Sequence, residues 1–167
     1  MAMNGMSEGF ELSHLDDEGR SKMVDVGGKT PTQRSAIAEA RVHYPQEAFR
    51  KVLAGDLPKG GIVEPARIAG IQAAKRASDL IPMCHPLSLD QVDIQITSTN
   101  LETSELVVRC SCRLTGRTGV EMEAMTGAMV AALTLYDMSK ALDKGIRIVE
   151  VRLIEKSGGK SGRWTAQ

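Results

Sequence analysis

Aromatic rings are scarce in this chain: one Trp, two Tyr and two Phe make up 3% of its 167 residues. Net charge is absent too, with 21 Lys and Arg set against 21 Asp and Glu. A protein that holds nucleic acid needs stacking rings or a general basic surface, so nucleic acid is not expected as a partner. Cysteine is limited to three, an odd number. Cys110 and Cys112 stand two apart in an alternating run, where they share one strand face and fit the role of small buried hydrophobes. That usage suits a reducing cytoplasm. Histidine is also limited to three, and His14, His43 and His85 lie in unrelated segments with no Cys-x-x-Cys partner, so no metal site is expected. Long apolar runs are missing as well. The segment MVAALTLYDM falls short of the roughly 20 residues of a membrane span, and the N-terminus shows neither a basic n-region nor an apolar h-region. The expectation is a soluble, unexported protein with no membrane partner.

What is present reads as one domain with two loose ends. Residues 1–35 are rich in Gly, Ser, Asp and Glu and form an expected N-terminal arm, either disordered or ordered by packing on something else. Residues 36–155 form the core domain, and residues 156–167 a tail rich in Gly and Lys. In the core, ARVHY reads as a short strand, PQEAFRKVLAG as a helix stopping at Gly55, and ARIAGIQAAKRASDLI as a second helix ending at the Pro82 to Pro86 turn. LDQVDIQITS and SELVVRCSCRLTG alternate with period two and read as an antiparallel hairpin. The stretch from Gly119 predicts a helix of about six turns ending at Gly145, followed by the strand RIVEVRLIEK. That order is the βαββαβ pattern of a ferredoxin-like α+β sandwich, an antiparallel sheet covered by helices with one extra helix in the first crossover. Between Met125 and Leu142 the long helix is apolar or small around nearly its whole circumference, more than one sheet can cover, which predicts a homo-oligomer.

Several groups are candidates for chemistry, each with a plainer alternative. Asp137 and Lys140 stand three apart on one helix face: either a surface ion pair or, if their apolar neighbours half-bury them, a general acid/base and its positioner. Glu121 and Glu123 point the same way only if the backbone is extended there, and diverge if it is helical, where they amount to ordinary acid enrichment at a helix start. Cys84 and His85, between two prolines, suit no metal site, and a Cys nucleophile is not expected to pair with its chain neighbour. His85 remains either an exposed turn residue or a rigidly held proton carrier. Asp25, Lys29 and Arg34 set alternating charges around a Gly-Gly turn, either a solvated loop or an arm reaching into a site. The tail KSGGKSG is not a Walker motif, because Ile154 stands where the first glycine belongs. Lys156, Lys160 and, on the PKGG turn, Lys59 are cations able to meet an anion or simply to stay solvated.

The strings MVDV, PKGG, ARIAGIQAAKR, DLIPMCHPL, CRLTGRTGVEMEAMT, ALTLYDM and KSGGKSG together resemble the cyclic pyranopterin monophosphate synthase family of molybdenum cofactor biosynthesis, over about residues 12–163. The resemblance implies a ferredoxin-like fold assembled as a homohexamer, a trimer of dimers, with sites at subunit interfaces. It implies a lyase that converts 3′,8-cyclo-7,8-dihydro-GTP to the cyclic pyranopterin with release of pyrophosphate. It places substrate contacts on Met83, Cys84, His85, Met122 and Glu123, with Glu121 adjacent, and catalytic roles on Asp137 and Lys140. Lys59, Lys156 and Lys160 take its cationic positions, and Asp25 and Arg34 match an arm that approaches the site. Met83 replaces a leucine common in the family, an apolar swap. The sequence requires no cofactor, and Mg2+ would enter only with the triphosphate. A GTP hydrolase of pterin synthesis is a rival without a Cys/His metal set to support it. A ligand-binding regulatory module is another rival, and would gain if the carboxylates stand apart from the lysines.

Overall fold

The computed structural model describes residues 18–160 and 162–167; residues 1–17 of the predicted arm, His14 among them, and Ser161 of the tail lie outside them. Nine elements follow in order. They are β1 (Thr32–His43), α1 (Gln46–Ala54), α2 (Val63–Ala74), α3 (Ala77–Leu80), β2 (Gln91–Ser98), β3 (Glu105–Gly116), α4 (Glu121–Ser139), β4 (Arg147–Ser157) and β5 (Trp164–Thr165). The strands form one antiparallel sheet in the order β2-β3-β1-β4-β5. Its first four members have the ferredoxin-like order, and β5 extends the β4 edge.

Alternation along the strands separates the two faces of the sheet. Ala36, Ala38, Ala40 and Val42 of β1 lie in register beside Cys112, Cys110, Val108 and Leu106 of β3, and all eight are buried under the helices. The covering layer is α4 with α2 alongside it. The two helices approach closely because both present glycine at the crossing. A Cβ on Gly127 would lie 2.6 Å from the Cys110 sulfur, and one on Gly70 would lie 2.9 Å from the Gly127 carbonyl oxygen. Scarcity of aromatics is met by concentrating two of them, Tyr44 and Phe49, in the core with ring centroids 5.9 Å apart.

The other sheet face carries charge at its centre. Glu39 is 1% exposed and receives Arg109 Nε at 2.8 Å and Arg41 Nη2 at 2.9 Å, with its register partner Arg152 at 3.9 Å. Burial opposes its ionisation, yet the hydrogen bonds from Arg109 and Arg41 outweigh it and hold the carboxyl below its ordinary value.

Three expectations need correcting. The first strand is twelve residues long and starts at Thr32, well before ARVHY, because its outer half pairs with β3 from Thr32 and with β4 from Ser35. The second helix breaks after Ala74, and a separate short turn of helix runs over Ala77–Leu80. The long helix ends at Ser139, not at Gly145. Ser139 Oγ turns back to the Leu135 carbonyl at 2.6 Å, and Asp143 accepts the Gly145 N–H at 2.6 Å, a local turn that competes with further helix.

Candidate active site

The predicted residues gather in two places at opposite ends of α4. At its C-terminal end, Asp137 sits between two lysines. Its Oδ1 lies 2.7 Å from Lys140 Nζ and its Oδ2 3.1 Å from Lys59 Nζ, and Lys59 also donates to the Asp137 carbonyl at 3.2 Å. Lys59 comes from the turn after α1, while Lys140 lies three residues past Asp137, on the same helix face. Of the two alternatives for Asp137 and Lys140, the half-buried pair is not found. Both are 52% exposed, because Leu135 and Ser139 take the core-facing positions of this turn. Hydrogen bonding from Lys140, then Lys59, holds the Asp137 carboxyl below its usual range, and Asp137 raises the Lys140 ammonium.

At the N-terminal end a cavity of about 560 Å³ opens between three segments. The chain at Val24 and Val26 forms one wall. The proline-bounded turn supplies Met83, Cys84 and His85, and the entry to α4 supplies Glu121, Met122 and Glu123. The turn is fixed by the Cys84 N–H to Ile81 carbonyl bond at 3.0 Å. His85 is not a free turn residue: its Nε2 lies 2.9 Å from the Val24 carbonyl oxygen. A carbonyl only accepts, so Nε2 carries the proton and donates, which leaves Nδ1 as the nitrogen able to exchange a proton with a ligand.

The glutamates are helical, so they diverge as spacing two requires, yet both line this cavity, at different depths. Glu121 is 25% exposed and accepts Lys156 Nζ from β4 at 2.9 Å. Glu123 is only 4% exposed, and burial first, then the Glu121 charge, raises its carboxyl above the ordinary value. A carboxyl so placed holds its proton more readily than an exposed one, as a general acid must. Burial, then the Glu123 charge, also raises the Cys84 thiol. Cys84 is therefore kept as a thiol, which fits a packed contact rather than a nucleophile.

A second cavity, of about 700 Å³, adjoins the first and shares Lys29 and Thr118 with it. Arg34, Arg117 and Lys160 line it, with no carboxylate among its walls. Gly158 and Gly159, at φ +99° and +74°, let the tail cross directly over Arg34; a Cβ on Gly159 would collide with the guanidinium. Asp25 lines neither cavity: its carboxylate accepts the Gly27 N–H at 2.7 Å and shapes the turn that presents Lys29. The sequence reading did not assign Arg117 and Thr118 to the site and noticed Lys29 only as part of a charged turn. The available signal was the run GRT placed directly before GVEME.

Among the described residues no three of His, Cys, Asp or Glu form a metal-ligand set, and no helix is long and apolar enough to cross a membrane. Fold and site define a ferredoxin-like small-molecule enzyme in which a buried carboxyl, Glu123, adjoins cations that have no carboxylate partner among the described residues. Comparison with known proteins makes this particular: the chain belongs to the MoaC family, whose model matches residues 23–159. It is 51% identical over 158 residues to the cyclic pyranopterin monophosphate synthase of Novosphingobium aromaticivorans, covering 93% of this chain and 98% of that one. The synthases of Roseiflexus sp. (strain RS-1) and Roseiflexus castenholzii are 51% and 50% identical over 152 residues, covering 91% of this chain and 96% of each relative.

Proposed function

We propose that the protein is a cyclic pyranopterin monophosphate synthase, a lyase that converts 3′,8-cyclo-7,8-dihydro-GTP to cyclic pyranopterin monophosphate and pyrophosphate in molybdenum cofactor biosynthesis. The observation that carries the reading is the cavity in which His85, Glu121 and Glu123 converge beside a second, cationic cavity. Rearranging a purine into a pterin needs staged proton transfers, and closing a cyclic phosphate needs a base for the attacking hydroxyl and cations for the departing pyrophosphate. Glu123 is suited to deliver a proton, with Glu121 and His85 Nδ1 as acceptors. Met83 and Met122 supply apolar contacts for the ring system.

Asp137, Lys140 and Lys59 cannot join that chemistry within one chain. Asp137 lies sixteen residues beyond Glu121, about 24 Å along α4, while acid/base groups must come within hydrogen-bond reach of the reacting atoms. The separation that would favour a regulatory module is also what a site shared between copies produces. Met129 and Leu133 of α4 and Ile68 of α2 are 47%, 53% and 55% exposed, an apolar outer surface that supports burial against a second copy. In this reading the assembly is a homohexamer, a trimer of dimers, in which Asp137, Lys140 and Lys59 of one copy complete the cavity of another. The three free cysteines accord with a cytoplasmic setting. No resident cofactor is needed, and Mg2+ enters only as companion of the triphosphate.

The test is to supply enzymatically prepared 3′,8-cyclo-7,8-dihydro-GTP and to follow pyrophosphate release together with the fluorescent oxidised pterin. Appearance of both in equal amounts is the expected result. A folded oligomer that binds the nucleotide and releases neither would instead be a binding module.

A further inference from the structure

We propose that Gly119 is a positioning residue of the acid/base cavity: it leaves the space in which the Glu121 carboxylate lies back over the chain, anchored by Lys156 through one oxygen and open to the cavity at the other. The catalytic consequence rests on the synthase reading, whereas the packing of Glu121 over Gly119 is independent of it.

Glu121 is the first residue of α4, and helical side chains lean toward the N-terminus, so its carboxylate covers the segment leading into the helix, Thr118 to Val120. A Cβ built on Gly119 would collide with Glu121 Oε2 and would lie 2.7 Å from the carboxyl carbon and 2.8 Å from Oε1. No side chain fits there while the carboxylate keeps its place. The backbone itself does not ask for glycine, because the φ of Gly119 lies outside the left-handed region that Gly158 and Gly159 occupy. What excludes a larger residue is the Glu121 carboxylate, to which all three nearest atoms belong.

The other side of the carboxylate is fixed as well. Oε1 accepts Lys156 Nζ at 2.9 Å. Lys156 stands on β4 in register with Ala36 of β1 and Trp164 of β5, so its backbone is held on both sides. Oε2 has no hydrogen-bond partner among the described residues, and Gly119 and Glu121 both line the cavity that also holds His85 and Glu123. One oxygen therefore anchors the group and the other remains to take a proton from a ligand. A methyl on residue 119 would displace the carboxylate by rotation of its own flexible side chain, breaking the Lys156 contact and re-aiming Oε2 without moving the backbone. A proton acceptor works only within hydrogen-bond reach, so a displacement of this kind acts on the chemical step.

The experiment compares full-length wild type, Gly119→Ala, Glu121→Ala and the double variant. It measures melting temperature, kcat and KM with the cyclised nucleotide, and acylation of Lys156 by acetic anhydride followed by peptide mass spectrometry. Gly119→Ala is expected to melt at or above the wild-type temperature, since alanine on a compatible backbone restricts the unfolded chain and a part-exposed ion pair adds little. Its kcat should fall by about 10-fold to 100-fold with KM little changed. In the Glu121→Ala background the same methyl should have no further effect, because the group it displaces is gone. Lys156, no longer screened by its carboxylate, should acylate about twofold to fivefold faster in both single variants. Wild-type kcat in Gly119→Ala would overturn the inference, and so would a double variant markedly slower than Glu121→Ala, which would show the methyl acting on ligand or fold directly. Acylation requires no turnover, so the two readings fail separately. Faster Lys156 acylation in Gly119→Ala, with no conversion of the nucleotide even by wild type, keeps the packing role and removes the synthase; conversion with unchanged acylation and kcat in Gly119→Ala removes the role of Gly119 alone.

Discussion

Glu123 and Asp137 lie fourteen residues apart on one helix, α4, with their backbones about 21 Å apart along its axis. One is 4% exposed beneath a cavity; the other is 52% exposed between two lysines. A single chain thus carries two groups of charged residues at the two ends of its central helix; in the proposed assembly these are two half-sites, and the apolar outer surface between them is where a second copy would lie.

The exposed half is expected to matter for turnover and not for folding. Asp137→Asn and Lys140→Ala should keep the circular dichroism spectrum and oligomer size of the wild type, since exposed ion pairs add little to stability. Turnover should drop by about 10²-fold to 10⁴-fold, the usual weight of a positioned acid/base group. Near-wild-type rates from either variant would remove that residue from the mechanism.

Glu123→Gln should separate stability from activity. Burial raises the Glu123 carboxyl in the folded protein, so as pH climbs past about 4.3, where the unfolded chain ionises, the folded state resists ionisation and loses stability. The amide removes that loss. The variant should match the wild type near pH 4 and melt at an equal or higher temperature at pH 7, while kcat falls by about 10²-fold or more. A difference in melting temperature between variant and wild type that is the same at pH 4 and at pH 7 would show that ionisation of Glu123 does not weigh on stability.

Cys84→Ser should retain substantial activity, because the thiol is held protonated by its surroundings and no base is paired with it. Inactivation by iodoacetamide at neutral pH should be slow for the same reason. A variant without measurable turnover, though folded and able to bind nucleotide, would restore Cys84 as a nucleophile.

Glu39, on the uncovered sheet face, is a stability group whose sign is opposite to that of Glu123. Its folded carboxyl lies below the ordinary value, so its contribution is present above about pH 4.3 and is lost as pH falls through the folded value. Glu39→Ala leaves Arg109 and Arg41 without their shared acceptor and should cost about 1–3 kcal/mol at pH 7 in urea unfolding. The difference from wild type should shrink on acidification; a difference constant from pH 7 to pH 3 would assign the loss to packing alone.

Much of this arrangement was legible in the sequence. Period-two runs such as SELVVRCSCRLTG fixed β3 and its buried face, and Gly55 marked the end of α1 through its left-handed conformation, φ 72°. The end of α4 was not legible, because Ser139 and Asp143 stop the helix through contacts that helix-compatible residues do not announce. The length of β1 was missed because its first four residues, TQRS, are polar and are held in the strand by pairing with β3, joined by β4 only from Ser35. In the site, the Met83 to His85 turn and the acidic start of α4 were visible as local strings. What brought Lys29, Arg117 and Lys160 together is long-range strand pairing, which leaves no pattern in any one segment. The burial of Glu123 and the exposure of Asp137 likewise depend on which helix face meets the sheet, and neither residue type reveals that by itself.

The most direct test of the shared site is to co-express Asp137→Asn and Glu123→Gln chains in equal amount and measure pyrophosphate release by the mixed oligomers. If each site draws Asp137 from one copy and Glu123 from another, random assembly rebuilds intact sites in roughly a quarter of positions, so activity should recover to about that share of wild type. Activity no higher than the mean of the two separate variants, from oligomers proven to contain both chains, would contradict a site built across copies.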